Sequence, residues 1–348
     1  TASLYTASAD LARLAASAFT LGQCWIIIWE QKKGCRGSGI EKKRSISMDL
    51  YKELCAIAGA DAVAVNEPME RHTTFRIGGP ADWFVTPSRT EEVRGIIELC
   101  RQQSIPYYII GNGSNLLVGD KGYRGVIIQV YRKMSGISTE GERIRAQAGA
   151  LLSKVAAAAY SAGLTGMEFA SGIPGTLGGA VRMNAGAYGG EMAQVLESAT
   201  VLTTEGEVLT LPVEKMGLGY RTSIVSRMDY VVLEAVLSLS RGDREEIRAR
   251  MDELKQKRVS KQPLEFGSAG STFKRPEGYF AGKLIEDAGL RGFRIGDAQV
   301  SEKHCGFVIN RGNATAAEVY ELMEEVIRRV EENSGVKLEP EVRRIGEF

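Results

Sequence analysis

The stretch EFASGIPGTLGGAVRMNAGAYGGE, Glu168 to Glu191, carries seven glycines (172, 175, 178, 179, 186, 189 and 190) along with Pro174 and four alanines. Glycine at this density costs backbone entropy, and a chain carries that cost where φ must be positive or where backbone must lie close to something. Flexible glycine linkers are serine-rich and free of large apolar residues. Here Ile173, Pro174, Leu177, Val181 and Met183 stand among the glycines. The stretch therefore reads as an ordered loop lying against a ligand.

A second glycine cluster bears on what that ligand is. Tyr107 to Ile110, YYII, reads as a short strand that delivers the chain into Gly111-Asn112-Gly113-Ser114-Asn115. A strand ending in such a turn presents consecutive backbone N–H groups that, with a Ser hydroxyl and Asn amides, can cradle phosphate oxygens. Neither cluster reads GxGxxG opening a helix, and neither reads GxxxxGK[ST], so Rossmann and P-loop sites are excluded on residue order. NG and GS also make ordinary turns, and GNGSN alone does not name the ligand.

Composition narrows the class. The 348 residues are enough for two or three domains. Lys+Arg 44 against Asp+Glu 43 leaves no bulk charge to attract nucleic acid or an anionic membrane. Cys24, Cys35, Cys55, Cys100 and Cys305 lack CxxC spacing, and His72 and His304 are the only histidines, so no metal site and no disulfide framework is expected. The longest apolar run, CWIIIW (24 to 29), falls far short of the ~20 residues that span a bilayer. It also lacks the flanks of a secretory signal.

Periodicity gives the remaining elements. A short amphipathic helix is expected from Asp49 to Ala58, a strand near Ala81 to Thr86, and a helix opened by the capping box Ser88-x-x-Glu91 with Val93, Ile96, Ile97 and Cys100 on one face. With YYII these make a βαβ unit whose loop lies at the strand's C-terminal edge. Strands follow near 126 to 130 and 144 to 147, then a helix from Leu151 to Ala162 stopped by Gly163, a hairpin over 197 to 211 and a strand from Tyr230 to Leu239. The charged helix DREEIRARMDELKQKR reads as a solvated face at a domain boundary. Beyond it come a helix near Tyr279 to Ala288, a strand from Gly306 to Ile309, a helix from Thr315 to Asn333 capped by Gly335, and a terminal strand from Val336 to Arg343.

Six strings taken together resemble one family. TTFRIGGPADWFV (73 to 85), GNGSNLL (111 to 117), SGIPGTLGGAVRMNAGAYG (171 to 189), GYRTSI (219 to 224), GSAGSTFKRP (267 to 276) and LEPEVR (338 to 343) look like the motifs of the UDP-N-acetylenolpyruvoylglucosamine reductase family, in its order, from about Asn66 onward. The resemblance implies an α+β / α/β chain. It comprises a two-lobed FAD-binding domain of the vanillyl-alcohol-oxidase-like (PCMH) type over 48 to 241, divided near 115 to 125, a substrate-binding domain over 242 to 335, and a terminal strand over 336 to 348. It assigns flavin contacts to Arg76 and Gly78; to Gly111, Asn112, Gly113, Ser114, Asn115 and Leu116; and to Gly172, Ile173, Pro174, Gly175, Thr176, Gly178, Gly179, Ala180, Asn184 and Gly186. Residues 1 to 47 have no counterpart and read as an upstream extension, disordered or, alternatively, a membrane-associated appendage.

The last three motifs carry the chemistry that the resemblance implies. An Arg in a loop is ordinarily a surface charge, but Arg221 of GYRTSI matches an arginine that holds the substrate carboxylate, with Tyr220 beside it. SAGSTF is ordinarily a tight turn, yet its Ser271 matches the proton donor, and Lys274 is a candidate substrate contact. LEPEVR is ordinarily a charged tail; the match falls on Glu341 rather than Glu339. The short interval from Arg221 to Ser271 resembles the version of the enzyme that lacks an inserted tyrosine loop.

The implied reaction takes hydride from NADPH through non-covalent FAD to UDP-N-acetylglucosamine enolpyruvate and gives UDP-N-acetylmuramate, in a monomeric bacterial cytoplasmic enzyme. A flavin oxidase sharing the N-terminal motifs, or a non-catalytic nucleotide-binding module, are the competing readings. Neither accounts for SAGSTF and EVR.

Overall fold

The computed structural model describes residues 49–348, and contacts group Tyr51–Phe348 into the unit that carries every feature below. The expected extension, 1 to 47, lies outside the described residues.

The first lobe is a four-stranded sheet in the order Val63–Pro68, Pro80–Val85, Tyr123–Gln129, Tyr107–Ile110. The first pair is antiparallel, and strand Tyr123–Gln129 is parallel to both of its neighbours. Within that strand Val126, Ile127 and Ile128 form an unbroken apolar run because this part is buried on both faces. Helix Thr90–Gln102 crosses between the flanking strands and buries Val93, Ile96, Ile97 and Cys100, the face its spacing predicts. Its cap differs from expectation. The helix begins one residue later than a Ser88-x-x-Glu91 box requires, so the Ser88 N–H and hydroxyl both donate to Glu92, at 2.7 and 3.0 Å, and Arg89 occupies the N-cap position.

The second lobe is a five-stranded antiparallel sheet, Val208–Pro212, Leu196–Leu202, Val231–Ser238, Arg143–Gln147, Ile137–Glu140. Helix Leu152–Ser161 and the short helix Leu177–Met183 pack on it. The alternating burial of Arg143–Gln147, with Ile144 and Ala146 inward, shows one face in the core and one in water. Charged helix Arg244–Lys261, N-capped by Asp243, buries Ile247 and Leu254 and rests on helix Leu152–Ser161 and the turn Glu168–Ala170.

The glycine-rich stretch is not one loop. Thr176 caps helix Leu177–Met183, Asn184 ends it in the left-handed region at φ 45°, and a miniature hairpin pairs Gly186–Ala187 with Gly190–Glu191. A residue pattern dense in glycine hid a helix whose first turn packs against backbone.

The C-terminal part is a three-stranded sheet, Arg294–Ile295, Ala298–Val300, Val308–Asn310, with helices Ala281–Asp287 and Ala316–Ser334. Thr315 and Glu318 form the capping box of the long helix, and Gly335 closes it at φ 71°. Its core, Leu284, Ile285, Val319, Leu322, Met323 and Val326, also takes in Phe75, Ile77 and Leu117 of the first lobe. The expected terminal strand, Val336 to Arg343, does not form over that range, and the observed strand shares only Arg343 with it. Only Arg343–Ile345 pairs, parallel to Leu116–Val118. Pro340 has no N–H for a ladder, and the preceding residues bond singly instead, Lys274 N–H to the Glu339 carbonyl and Glu341 N–H to the Thr272 carbonyl, both at 2.8 Å.

Asp120 ties the first lobe to this part: its carboxylate accepts the N–H groups of Ala316 and Ala317 at 2.7 and 2.9 Å, at the positive end of the long helix. Asp120→Ala is expected to cost about 0.5–2 kcal/mol, the range for losing a cap, with Asp120→Asn costing less. Thermal unfolding of the two variants checks it; equal stability of Asp120→Ala and the parent would show that the contact contributes nothing.

Candidate active site

Three of the glycine and asparagine motifs meet at one place. Strand Tyr107–Ile110 ends at Gly111, where an added Cβ would lie 2.2 Å from Thr176 Oγ1. Gly113, at φ +61°, has room only for hydrogen, because a Cβ there would lie 2.0 Å from the His72 carbonyl oxygen. Asn112 Nδ2 donates to the Pro174 carbonyl at 2.7 Å, and Gln129 Nε2 to the Gly111 carbonyl at 3.2 Å. The GNGSN turn is thus clamped between TTFRIGG and the glycine-rich stretch. Among the described residues, no acceptor meets the backbone N–H groups of Asn112, Gly113 and Ser114. Consecutive unpaired N–H groups in a turn form an anion-binding concavity.

The helix at Leu177 is different. Leu177 N–H donates to the Ala150 carbonyl and Gly178 N–H to the Ala148 carbonyl, both at 2.8 Å, while Thr176 takes the N–H groups of Gly179 and Ala180. Its first turn is spent on protein. Gly178 is small because a Cβ would meet Ala148 Cβ at 2.9 Å, and Gly78, at φ +140°, faces Val118 in the same way. Leu116 and Ala180 bury their side chains in the core, and Gly186 abuts the Gly190 carbonyl. Arg76 is exposed and itself at φ 57°. Gly175 and Gly179 are the open positions, where a Cβ would approach nothing closer than 3.6 Å. Several of these glycines are thus required by chain packing as well, and among the described residues Gly175 and Gly179 are the two of this set that leave a free surface.

A cavity of about 380 Å³ lies beside Asn112, between His72, Thr73, Gln129 and Tyr131, with Arg71, Arg132 and Lys133 lining it. A larger recess of about 620 Å³, walled by Glu321, Glu324 and Glu325 beside Arg328, has the wrong charge for phosphate.

The candidate chemical residues converge as well. Gly219 and Thr222 exchange backbone hydrogen bonds at 3.1 and 3.2 Å, which places Tyr220-Arg221 at the tip of a tight turn with Arg221 at φ 55°. Arg221 Nε stands 2.6 Å from Glu341 Oε1, with the side chains 22 and 11 % exposed. The Nε–H is not aimed along that contact, so the pair is a charge contact rather than an aligned hydrogen bond. Burial pushes the Glu341 carboxyl above its ordinary value, opposed by Arg221. Asn115 Nδ2 donates to the Glu341 carbonyl at 3.1 Å, so the GNGSN turn and the catalytic candidate share a wall. Asn184 Nδ2 donates to the Gly219 carbonyl at 3.2 Å and joins the glycine-rich stretch to the same wall.

Ser271 is exposed and follows Gly270, at φ +77°. Its hydroxyl has no hydrogen bond among the described residues, and its neighbour Thr272 holds the Glu341 N–H. Lys274 Nζ is paired with Glu339 at 2.8 Å on the surface. The two glutamates of LEPEVR are thereby separated: Glu339 faces Lys274 and water, and Glu341 faces Arg221 in a largely buried position. Arg258 escaped the sequence reading. It packs on Gly172, and its Nε and Nη1 are buried without an aligned partner. Its position in a charged run gave no signal that one of those charges turns inward.

Comparison with known proteins identifies the family. The FAD binding domain family matches residues 81–212, and the C-terminal domain of UDP-N-acetylenolpyruvoylglucosamine reductase matches residues 262–345. The UDP-N-acetylenolpyruvoylglucosamine reductase of Clostridium novyi (strain NT) is 51 % identical over 301 residues, 86 % of this chain and 98 % of that protein. That of Agathobacter rectalis is 56 % identical over 295 residues, 81 % of this chain and 94 % of that protein. The crystal structure of the enzyme from Thermus caldophilus superposes with a TM-score of 0.69 at 37 % identity, covering 81 % of this chain and 98 % of that one. The chain belongs to the UDP-N-acetylenolpyruvoylglucosamine reductase family, with an FAD-binding domain followed by that family's C-terminal domain.

Proposed function

We propose that the chain reduces UDP-N-acetylglucosamine enolpyruvate to UDP-N-acetylmuramate with NADPH, using Arg221, Ser271 and Glu341, in the production of peptidoglycan precursors. The observation that carries this reading is the largely buried Arg221–Glu341 pair, joined through Asn115 to a turn whose three N–H groups have no partner among the described residues. An anion cradle and a fixed cation thus share one wall.

The residues present fit a flavin dinucleotide. The N–H groups of Asn112 to Ser114 suit its diphosphate, Gly175 and Gly179 leave surface for close approach, and the 380 Å³ cavity beside Asn112 has a basic lining suited to the nucleotide half. When bound, FAD supplies two-electron hydride chemistry between the nicotinamide and the enolpyruvyl double bond. The protein's part is electrostatic and protonic. As hydride reaches the β-carbon, the π pair shifts toward the α-carbon and carboxylate; the Arg221 guanidinium, permanently charged and forked, holds that carboxylate. Ser271 delivers a proton to the α-carbon, and Glu341, in contact with Arg221, orients the cation. The substrate-binding role then falls on Tyr220, Arg221 and Lys274, with residues 48–241 as the flavin-binding part and 242–335 as the substrate-binding part. The chain has the short Arg221-to-Ser271 interval of the version without the tyrosine loop.

Two glycines test the flavin placement. Gly113→Val is expected to destabilise the fold itself, given φ +61° and the His72 carbonyl. Gly179→Val, in an open helical position, is expected to fold normally and lose bound flavin. Flavin absorbance per folded protein is the readout, and full occupancy in Gly179→Val would place the cofactor elsewhere.

A further inference from the structure

Ser271 has little of its own to hold it. It is exposed, it follows Gly270 at φ +77° in open space, and its hydroxyl has no hydrogen bond among the described residues. A proton donor in such a place works only if its backbone is fixed, because a displacement of about 1 Å at a reacting centre is costly. The next residue is fixed on every side. Thr272 is 1 % exposed. Its N–H donates to the Gly306 carbonyl at 2.9 Å, its Oγ1 accepts the Val308 N–H at 2.8 Å, and its carbonyl accepts the Glu341 N–H at 2.8 Å.

These bonds join distant parts of the chain. Gly306 belongs to the turn that enters strand Val308–Asn310, and its N–H donates in turn to His304 Nδ1 at 3.1 Å. On the other side the Glu341 carbonyl accepts from Asn115 Nδ2 at 3.1 Å, while the Glu341 carboxylate faces Arg221. Phe273 and Pro340 continue the contact as an antiparallel bridge, so the segments carrying Ser271 and Glu341 run side by side. A buried threonine hydroxyl ordinarily does no more than satisfy a neighbouring backbone group. Thr272 differs in its place: it stands one peptide bond from Ser271 and one hydrogen bond from the main chain of Glu341.

We propose that Thr272 is a positioning residue for the reduction, fixing Ser271 against Glu341 through the bond between its hydroxyl and strand Val308–Asn310. The inference deepens the proposed function and rests on the reading of Ser271 as the proton donor. Thr272 touches no reacting atom. Its bond to the Val308 N–H stops the segment from Gly270 to Phe273 sliding along that strand, and so sets where the Ser271 hydroxyl stands when an α-carbon beside Arg221 needs its proton. The first half-reaction makes no such demand, since hydride passing from NADPH to flavin creates no carbon acid. A role confined to folding would not distinguish the two halves.

The test compares Thr272→Val, Thr272→Ala and Thr272→Ser in the flavin-loaded full chain, by stopped-flow absorbance below the thermal midpoint of each. Thr272→Val keeps the shape and loses the acceptor; should it fail to fold, Thr272→Ala removes the same acceptor without setting a methyl against the Val308 N–H. Either is expected to reduce flavin with NADPH at close to the parental rate and to slow transfer to the enolpyruvyl sugar nucleotide roughly 10- to 100-fold, the upper end being the cost of a misplacement of about 1 Å. Thr272→Ser keeps the acceptor and is expected to restore that transfer. In a Ser271→Ala background the loss of the Thr272 hydroxyl is expected to slow transfer little further, since residues that act through one another are not additive. Equal slowing of both halves, or full additivity with Ser271→Ala, would overturn the proposal and leave Thr272 a folding residue. Unslowed transfer in folded Thr272→Val and Thr272→Ala would overturn it too, and with Ser271→Ala stalled the reaction assignment would stand. A Ser271→Ala enzyme as fast as the parent would remove both readings together.

Discussion

Ser271→Ala should reduce its flavin with NADPH at close to the parental rate and then stall, with transfer to the enolpyruvyl sugar nucleotide slowed roughly 10²- to 10⁴-fold, the contribution of a positioned general acid. The asymmetry follows from where a carbon acid is created. Hydride passing from nicotinamide to flavin forms none, whereas adding hydride to the enolpyruvyl group leaves an α-carbon that must be protonated. The position suits a clean test. Ser271 is exposed, its hydroxyl supports no other hydrogen bond among the described residues, and alanine changes little volume. Stopped-flow absorbance separates the two halves. Equal slowing of both would make Ser271 a pocket-shaping residue, and an unaffected second half would hand proton delivery to Glu341 or to a water it orients.

Arg221→Lys is expected to lower kcat/KM by about 10²- to 10³-fold, as removal of one preorganised donor to a developing oxyanion does, although the formal charge is unchanged. Lysine is a point charge and cannot present the planar fork that fits a carboxylate bidentately. The substitution keeps a cation near Glu341, so the largely buried carboxylate is not left alone and the fold survives. Arg221→Ala lacks that protection: a carboxylate only 11 % exposed would lose its partner, and breaking such a pair from one side destabilises strongly. Comparing the thermal midpoints of the two variants separates catalysis from folding. Near-parental kcat/KM in Arg221→Lys would take Arg221 off the reacting carboxylate.

Local patterns were legible in the sequence wherever the competing states differed locally. The 197 to 211 hairpin, the Thr315 to Asn333 helix with Gly335 at its far end, and the YYII strand opening into GNGSN all appear in the structure because each is decided within a few residues. The Ser88 cap failed by one residue because a glutamate stands at both 91 and 92, and the fold, not the S-x-x-E string, chooses the one that turns back to Ser88. Val336 to Arg343 looked like a strand, but Pro340 interrupts the ladder and the partner strand Leu116–Val118 meets the chain only from Arg343 to Ile345.

The site was legible as a set of strings and illegible as a geometry. Asn115 bonds to the Glu341 carbonyl across 226 positions, and no local signal links them. The reasons for the glycines were equally hidden. Density alone does not separate Gly113, held by the His72 carbonyl, from Gly179, which faces open space. Arg258 and Gln129 belong to the same class, since each acquires meaning from a residue brought alongside by the fold.

The central claim, that electrons from NADPH leave this flavoprotein for the enolpyruvyl double bond, is tested most directly by one anaerobic titration. The purified flavin-loaded protein is bleached with one equivalent of NADPH, and UDP-N-acetylglucosamine enolpyruvate is then added without oxygen. The account predicts that visible flavin absorbance returns in step with one equivalent of UDP-N-acetylmuramate. Absorbance that stays bleached until oxygen is admitted would contradict it and identify an oxidase built on the same flavin-binding lobes.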